Sequence, residues 1–197
     1  MASQLLPVQI EGRIAEEEKL ITGEELLAMG SAAHLSELIE GRITYMSPTG
    51  FLHGSSESNH AEKLIAFVKK HQLGKVVVGE VGIYIRRNPD TVRAADVAYI
   101  SKARYAQHDK AKGYLTVAPE LVVEILSPDD RWSEVTQKMR EYFSIGVKMI
   151  WIADPEARIV YAYRSLTEMR EFKATDTLTG DDILPGFSVT VSELFEE

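Results

Sequence analysis

Apolar positions recur along this chain at two periods, one helical and one extended, and their alternation marks out its elements. Within Gly54 to Leu73, the residues Ala61, Leu64, Ile65 and Val68 fall on one helical face, and Gly74 supplies the stop. Val135, Met139 and Tyr142 do the same in a second helix from about Arg131 to Ser144, with Gly146 as its stop. A shorter helix is announced by Thr22 and Glu25, whose spacing lets each side chain meet the other's backbone amide, and Gly30 closes it.

The extended runs read as strands. Lys75 to Arg86 and Val92 to Ile100 flank the turn residues Arg87-Asn88-Pro89-Asp90. Glu120 to Leu126 is a continuous apolar, β-branched run, the mark of a strand buried on both faces. Lys148 to Ala153 and Arg158 to Tyr163 flank Asp154-Pro155-Glu156, and Glu37 to Met46 reads as a short pair turning at Glu40-Gly41. Near the end come a short strand at Leu184-Pro185-Gly186 and a last helical turn from Thr190 to Glu193. This order predicts an α/β fold, a mixed sheet flanked by helices. One domain over residues 21–197 is expected, after an N-terminal arm over 1–20 that has charge but no sustained periodicity.

Composition narrows the function. With 45% hydrophobic and 26% charged residues, collagen, coiled coil and disorder over the whole length are excluded. The chain has no cysteine, so disulfides, thiolate catalysis and cysteine-ligated metal sites are excluded too. No apolar run approaches the ~20 residues that span a bilayer, and the N-terminus lacks the charged start and apolar core of a secretory signal. A cytoplasmic protein with no membrane partner is the expectation. The net charge of −8 speaks against a nucleic-acid partner, but its distribution does not: residues 41–112 hold 12 basic and 6 acidic side chains, a net of +6.

Acidic residues inside apolar strands require a partner, because a buried carboxylate is costly unless paired, hydrogen-bonded or bound to a metal. Glu80, Asp96 and Glu124 stand inside such strands. If the turn at 87–90 joins antiparallel neighbours, Glu80 falls opposite position 96 or 97. Lys138 sits on the flank of the second main helix's buried stripe, where it can reach the end of the Glu124 strand. A solvent-facing Lys138 paired with Glu134 fits the spacing equally well. Asp129 and Asp130 can cap that helix. His53 and His60 form no HExxH pattern, so no zinc site is expected.

Several stretches together carry a resemblance: PELVVEILSPDDRWSEVTQKMREYFSIGVKMIWIADPEARIVYAYR, an ADVAYI strand upstream, ELIEGRITYMSPTGFLHG and ILPGFSVTVSELF. The chain resembles the Uma family of bacterial restriction endonucleases, in the PD-(D/E)XK nuclease superfamily, over roughly residues 20–195. The resemblance implies a restriction-endonuclease-like core and a DNA-cutting hydrolase that leaves 5′-phosphate and 3′-hydroxyl ends. It implies that Asp96 and Glu124 hold Mg²⁺ or Mn²⁺, helped by Glu80 and the Ile125 carbonyl. It implies that Lys138 serves the attacking water and that His53 stands near the phosphate or that water. The superfamily's usual lysine position is Leu126 here, and the proline before its aspartate is Ala95. These departures favour the alternative of a nuclease-like scaffold that binds nucleic acid or protein without cutting it. Arg86, Arg87, Arg93, Lys102 and Arg104 are the expected phosphate contacts, and strand edges near Tyr161 and Tyr163 could pair two copies into a homodimer.

Overall fold

The structure, a computed structural model, describes residues 19–196; the expected N-terminal arm lies, through residue 18, outside them. Helix α1 (Gly23–Ala28) starts as the sequence implies: the Glu25 amide donates to the Thr22 hydroxyl, and the Thr22 amide donates to the Glu25 carboxylate. Strands β1 (Ser36–Ile39) and β2 (Arg42–Tyr45) pair antiparallel around Glu40 and Gly41. Both turn residues have positive φ (52° and 79°), the backbone twist that matches flanking strands.

Helix α2 (Phe51–Lys70) starts three residues before Gly54 and ends before the expected glycine stop. The left-handed turn is made by Gln72 at φ 52°. Gly74 instead opens strand β3 (Gly74–Arg86), where a Cβ would sit 2.0 Å from the Ile100 carbonyl oxygen. Strand β4 (Thr91–Ser101) returns antiparallel to β3 and is buried at every position but the last. The four-residue α3 (Lys102–Tyr105) leads towards β5 (Leu121–Ile125), and α4 (Trp132–Ser144) crosses over to β6 (Met149–Asp154), parallel to β5. Arg131 is the N-cap of α4 and makes no side-chain cap bond. Asp130 instead accepts the Ser127 amide, so neither aspartate caps the helix as expected.

Strands β7 (Ile159–Tyr163) and β8 (Met169–Phe172) extend the sheet, while β9 (Thr177–Gly180) and β10 (Leu184–Thr190) form a separate ribbon. β8 and β9 carry too little apolar pattern to be read from sequence. Their presence corrects one expectation: Tyr161 pairs with Glu171 and Tyr163 with Met169, so β8 covers the edge proposed for homodimerisation.

The main sheet runs β2-β1-β4-β5-β6-β7-β8, with β3 added on β4. One face packs Val97, Val123 and Trp151 against Leu64 and Val68 of α2 and Phe187 of β10. The other packs Val122, Ile150 and Ile152 against Met139 and Tyr142 of α4. No helix among the described residues is long and apolar enough to cross a membrane.

The contact at Gly74 is with backbone, which cannot rotate away. Gly74→Ala must therefore open the β3–β4 pairing, and it is expected to lower unfolding free energy by about 2–3 kcal/mol, measured by denaturant titration. Gly50→Ala, where a Cβ meets nothing within 4 Å, is the control and is expected to cost far less.

Candidate functional site

β3 runs along one edge of β4, so β1 and β5 must share the other. β1 takes Val92 and β5 takes Val97 to Tyr99, which leaves residues 93 to 96 without a strand neighbour on that edge. Buried backbone groups need partners, and side chains supply them. The Ala94 amide donates to Glu37 Oε1 at 2.9 Å, and the Tyr142 hydroxyl reaches the Ala94 carbonyl at 3.4 Å. The Ile125 amide, at the end of β5, donates to Asp96 Oδ2 at 2.7 Å.

The register Val97↔Val123 sets Asp96 opposite Glu124, and both line one cavity of about 390 Å³ with His53, Ile125 and Lys138. Glu124 is almost fully buried. Its Oε2 accepts from Lys138 Nζ at 2.6 Å and its Oε1 from the Tyr142 hydroxyl at 2.8 Å. Lys138 also stands 3.5 Å from Glu37 Oε1, so it pairs inward and not with Glu134 on its own helix. The Leu126 amide bonds to Ala153 on β6, and the strand pleat turns the neighbouring Ile125 amide and carbonyl towards β4.

His53 enters from α2. Its Nδ1 lies 3.1 Å from the Ser127 hydroxyl, and its buried Nε2, without a hydrogen-bond partner, lies 3.6 Å from Asp96 Oδ2. Glu80 sits in a β-bulge: Val78 pairs with Val97 and Val81 with Ala95, so Gly79 and Glu80 together oppose Asp96. The expected juxtaposition of Glu80 with position 96 is present, with Glu80 half-buried at the cavity rim. Among the described residues, no three histidine, aspartate or glutamate side chains already form a metal-holding cluster.

Burial dominates the electrostatics. It drives the Glu124 carboxyl up to about 8, with Asp96 adding to the rise and Lys138 opposing it. Burial opposes the charge on Lys138, but Glu124, Glu37 and Asp96 outweigh it and raise its pKa. Burial also opposes protonation of His53, and the Asp96 carboxylate more than compensates. His60 behaves differently: burial takes it down to about 4, its Nδ1 bonds to the Ser56 carbonyl at 2.8 Å, and Phe195 packs edge-on against it. It is a core residue.

Sequence reasoning missed Glu37, Glu57, Tyr142 and Ser127 as members of this site. Glu37 carried the same signal as Asp96, an acid within an apolar strand, in a strand too short to draw notice. Glu57 stands one turn after His53 on α2 and accepts the Gly79 amide at 3.1 Å. Burial raises its pKa, and Asp96 adds to the rise.

The expected phosphate contacts are mostly engaged elsewhere. Arg93 is buried, with its Nη1 2.6 Å from Glu37 and its Nε on Glu141. Arg104 donates to the carbonyls of Ala118, Pro119 and Gly146. Arg86 pairs with Glu40, and Arg87 pairs with Glu24 while stacking on Tyr84. Lys102 is exposed at the start of α3.

A family profile described as "Uma2: Putative restriction endonuclease" matches residues 24–192. In fold the chain is similar to the crystal structure of a "putative nuclease belonging to DUF820 from Anabaena variabilis". The TM-score is 0.73 at 23% identity, covering 89% of this chain and 97% of that one. No protein of curated function matches the chain.

Two stability experiments follow. The neutral form of Glu124 is favoured in the folded state, so its contribution is fully present below pH 4.5 and is lost as pH rises towards about 8. Glu124→Gln is therefore expected to compare better with wild type in thermal midpoint at pH 8.5 than at pH 5, read by calorimetry. Removing Arg93 takes the cation from buried Glu37 and half-buried Glu141, so Arg93→Ala is expected to cost about 3 kcal/mol in denaturant unfolding, whereas Arg86→Ala should change little.

Proposed function

The chain belongs to the Uma2 family, and on that footing we propose that it is a divalent-metal-dependent endonuclease that hydrolyses DNA phosphodiester bonds. The observation that carries this reading is the register that sets Asp96 opposite Glu124 at the forked edge, with the Lys138 ammonium 2.6 Å from Glu124. Two facing carboxylates and the Ile125 carbonyl are the hard oxygen donors that Mg²⁺ or Mn²⁺ accepts. The high pKa of Glu124 fits a cation too, since it comes first from burial of the carboxyl and then from the Asp96 charge, which Lys138 and Tyr142 only partly offset.

In this reading Asp96, Glu124 and the Ile125 carbonyl would hold the metal, with Glu80 at the rim beside them. When bound, the metal supplies a Lewis acid for the phosphate oxygens and acidifies a water. Lys138 orients the attacking water and faces the charge that builds on phosphorus. Glu37 and Glu124 keep that ammonium charged and aimed into the cavity. His53, fixed on one side by Ser127, directs Nε2 at Asp96 and the incoming phosphate.

Nicking of supercoiled plasmid in Mg²⁺ or Mn²⁺ tests the assignment. Wild-type protein is expected to cut, and Asp96→Ala and Lys138→Ala are each expected to slow cutting by roughly a hundredfold or more. Undiminished cutting by Asp96→Ala would exclude this site. No cutting by any form supports the binding scaffold, which Leu126, Ala95 and the two engaged oxygens of Glu124 favour. A metal would be held by the ionised form of Glu124, so Mn²⁺ is expected to raise the thermal midpoint more at pH 8.5 than at pH 6.

A further inference from the structure

Four of the five cations expected at phosphates are engaged, and Glu80, Asp129 and Asp130 line the cavity of the carboxylate fork. A chain of net charge −8 that binds DNA must draw its phosphate contacts from cations with no acid of their own. Among the described residues, five such lysines stand together at the far end of α2, where β3 begins and β4 ends.

Lys69 and Lys70 close α2, Lys75 is the second residue of β3, and Lys102 opens α3. Backbone bonds join these places. The Leu73 amide donates to the Val68 carbonyl, the Lys102 amide donates to the Leu73 carbonyl, and Gly74 pairs with Ser101. Lys110 comes from the short turn that follows α3. Its ammonium lies 5.2 Å from the centre of the Tyr105 ring and that of Lys75 lies 5.9 Å from it, so one ring gathers both. All five lysines are exposed.

Acids are missing from this end. Residues 63–79 and 97–108 contain no aspartate or glutamate. Lys63 pairs with Glu193 and Arg104 with Glu120, whereas Lys69, Lys70, Lys75, Lys102 and Lys110 form no ion pair among the described residues. Two acids stand beside the group: Asp109 accepts the Ala111 amide, and buried Glu120 is held by Ser101 and Arg104. Like charges gathered without acids repel one another, and salt only screens them. A polyanion removes that repulsion and sheds its own condensed counterions on binding.

We propose that this lysine end is a second DNA contact, one that holds the phosphate backbone away from the carboxylates that would cut it. This rests on the nuclease reading above and names the source of its affinity. His53 at the fork and Lys70 at the lysine end are 17 residues apart on α2, about 26 Å at 1.5 Å per residue. A DNA that touches both places therefore spans about eight base pairs at 3.4 Å each.

The test is fluorescence anisotropy of a labelled 24-base-pair DNA duplex over a range of salt, with Ca²⁺ replacing Mg²⁺. Two double variants, Lys69→Ala with Lys70→Ala and Lys75→Ala with Lys102→Ala, are each expected to weaken binding roughly tenfold at low salt. Each is also expected to flatten the slope of log affinity against log salt by nearly two. Arg140→Ala with Arg170→Ala removes the same charge from exposed positions elsewhere and is expected to bind within about twofold of wild type. All these positions are on the surface, so folding is checked by an unchanged thermal midpoint. Lysine variants that bind as wild type, a control that weakens as much as they do, or no binding of the duplex overturns the proposal. An RNA duplex of the same length that binds more tightly overturns the choice of DNA. Plasmid cutting without any lysine dependence of binding would sink this inference alone; lysine-dependent binding without cutting by any form would sink the nuclease reading alone.

Discussion

Two strands share one edge of β4, and the stretch of backbone between them has to be satisfied by side chains. A sheet normally meets each amide with a neighbouring carbonyl. Here β1 departs after Val92 and β5 joins at Val97. Glu37 and Asp96 take the amides that the ladder leaves over. Carboxylates thus enter a region buried on both faces for a structural reason, before any chemistry is asked of them. The position is also where the sheet's order turns from one set of neighbours to another, the place where open α/β sheets gather ligands.

Once the acids are inside, their charge must be balanced. Arg93 spans Glu37 and Glu141, and Lys138 lies between Glu37 and Glu124. Tyr142 adds a hydroxyl where a further cation would not fit the apolar packing of α4. The balance is incomplete at Glu124, whose carboxyl is held near 8. A buried carboxylate short of countercharge is an unstable element in the resting protein, and on the proposed reading it is where a cation would bind. On that reading, stability and reactivity would be set against each other at one residue.

The helices deliver the rest of the site from the two faces of the sheet. α2 brings His53, and Glu57 one turn later, from the face packed against Val97 and Val123. α4 brings Lys138 and Tyr142 from the opposite face. The two sets meet only because the fork opens a gap between β1 and β5 through which both faces reach Asp96. The β3 bulge brings Gly79 and Glu80 opposite Asp96 on the other edge of β4.

The sequence determined, by itself, the helices, the central strands and the candidacy of Asp96, Glu124 and Lys138. Periodicity and the cost of burying charge are local signals, and they survive without knowledge of neighbours. The partner of Lys138 was beyond that reach, because Glu134 on its own helix and Glu124 on β5 suit its length equally well. So was the fate of the arginines: Arg93 and Arg104 look like surface cations in a list of residues, and only the fold encloses them. Glu37 became part of the site through pairings 57 and more residues away in the chain. Which strands share an edge is decided by long-range packing of the whole sheet, and that choice, made in three dimensions, created the gap the acids fill.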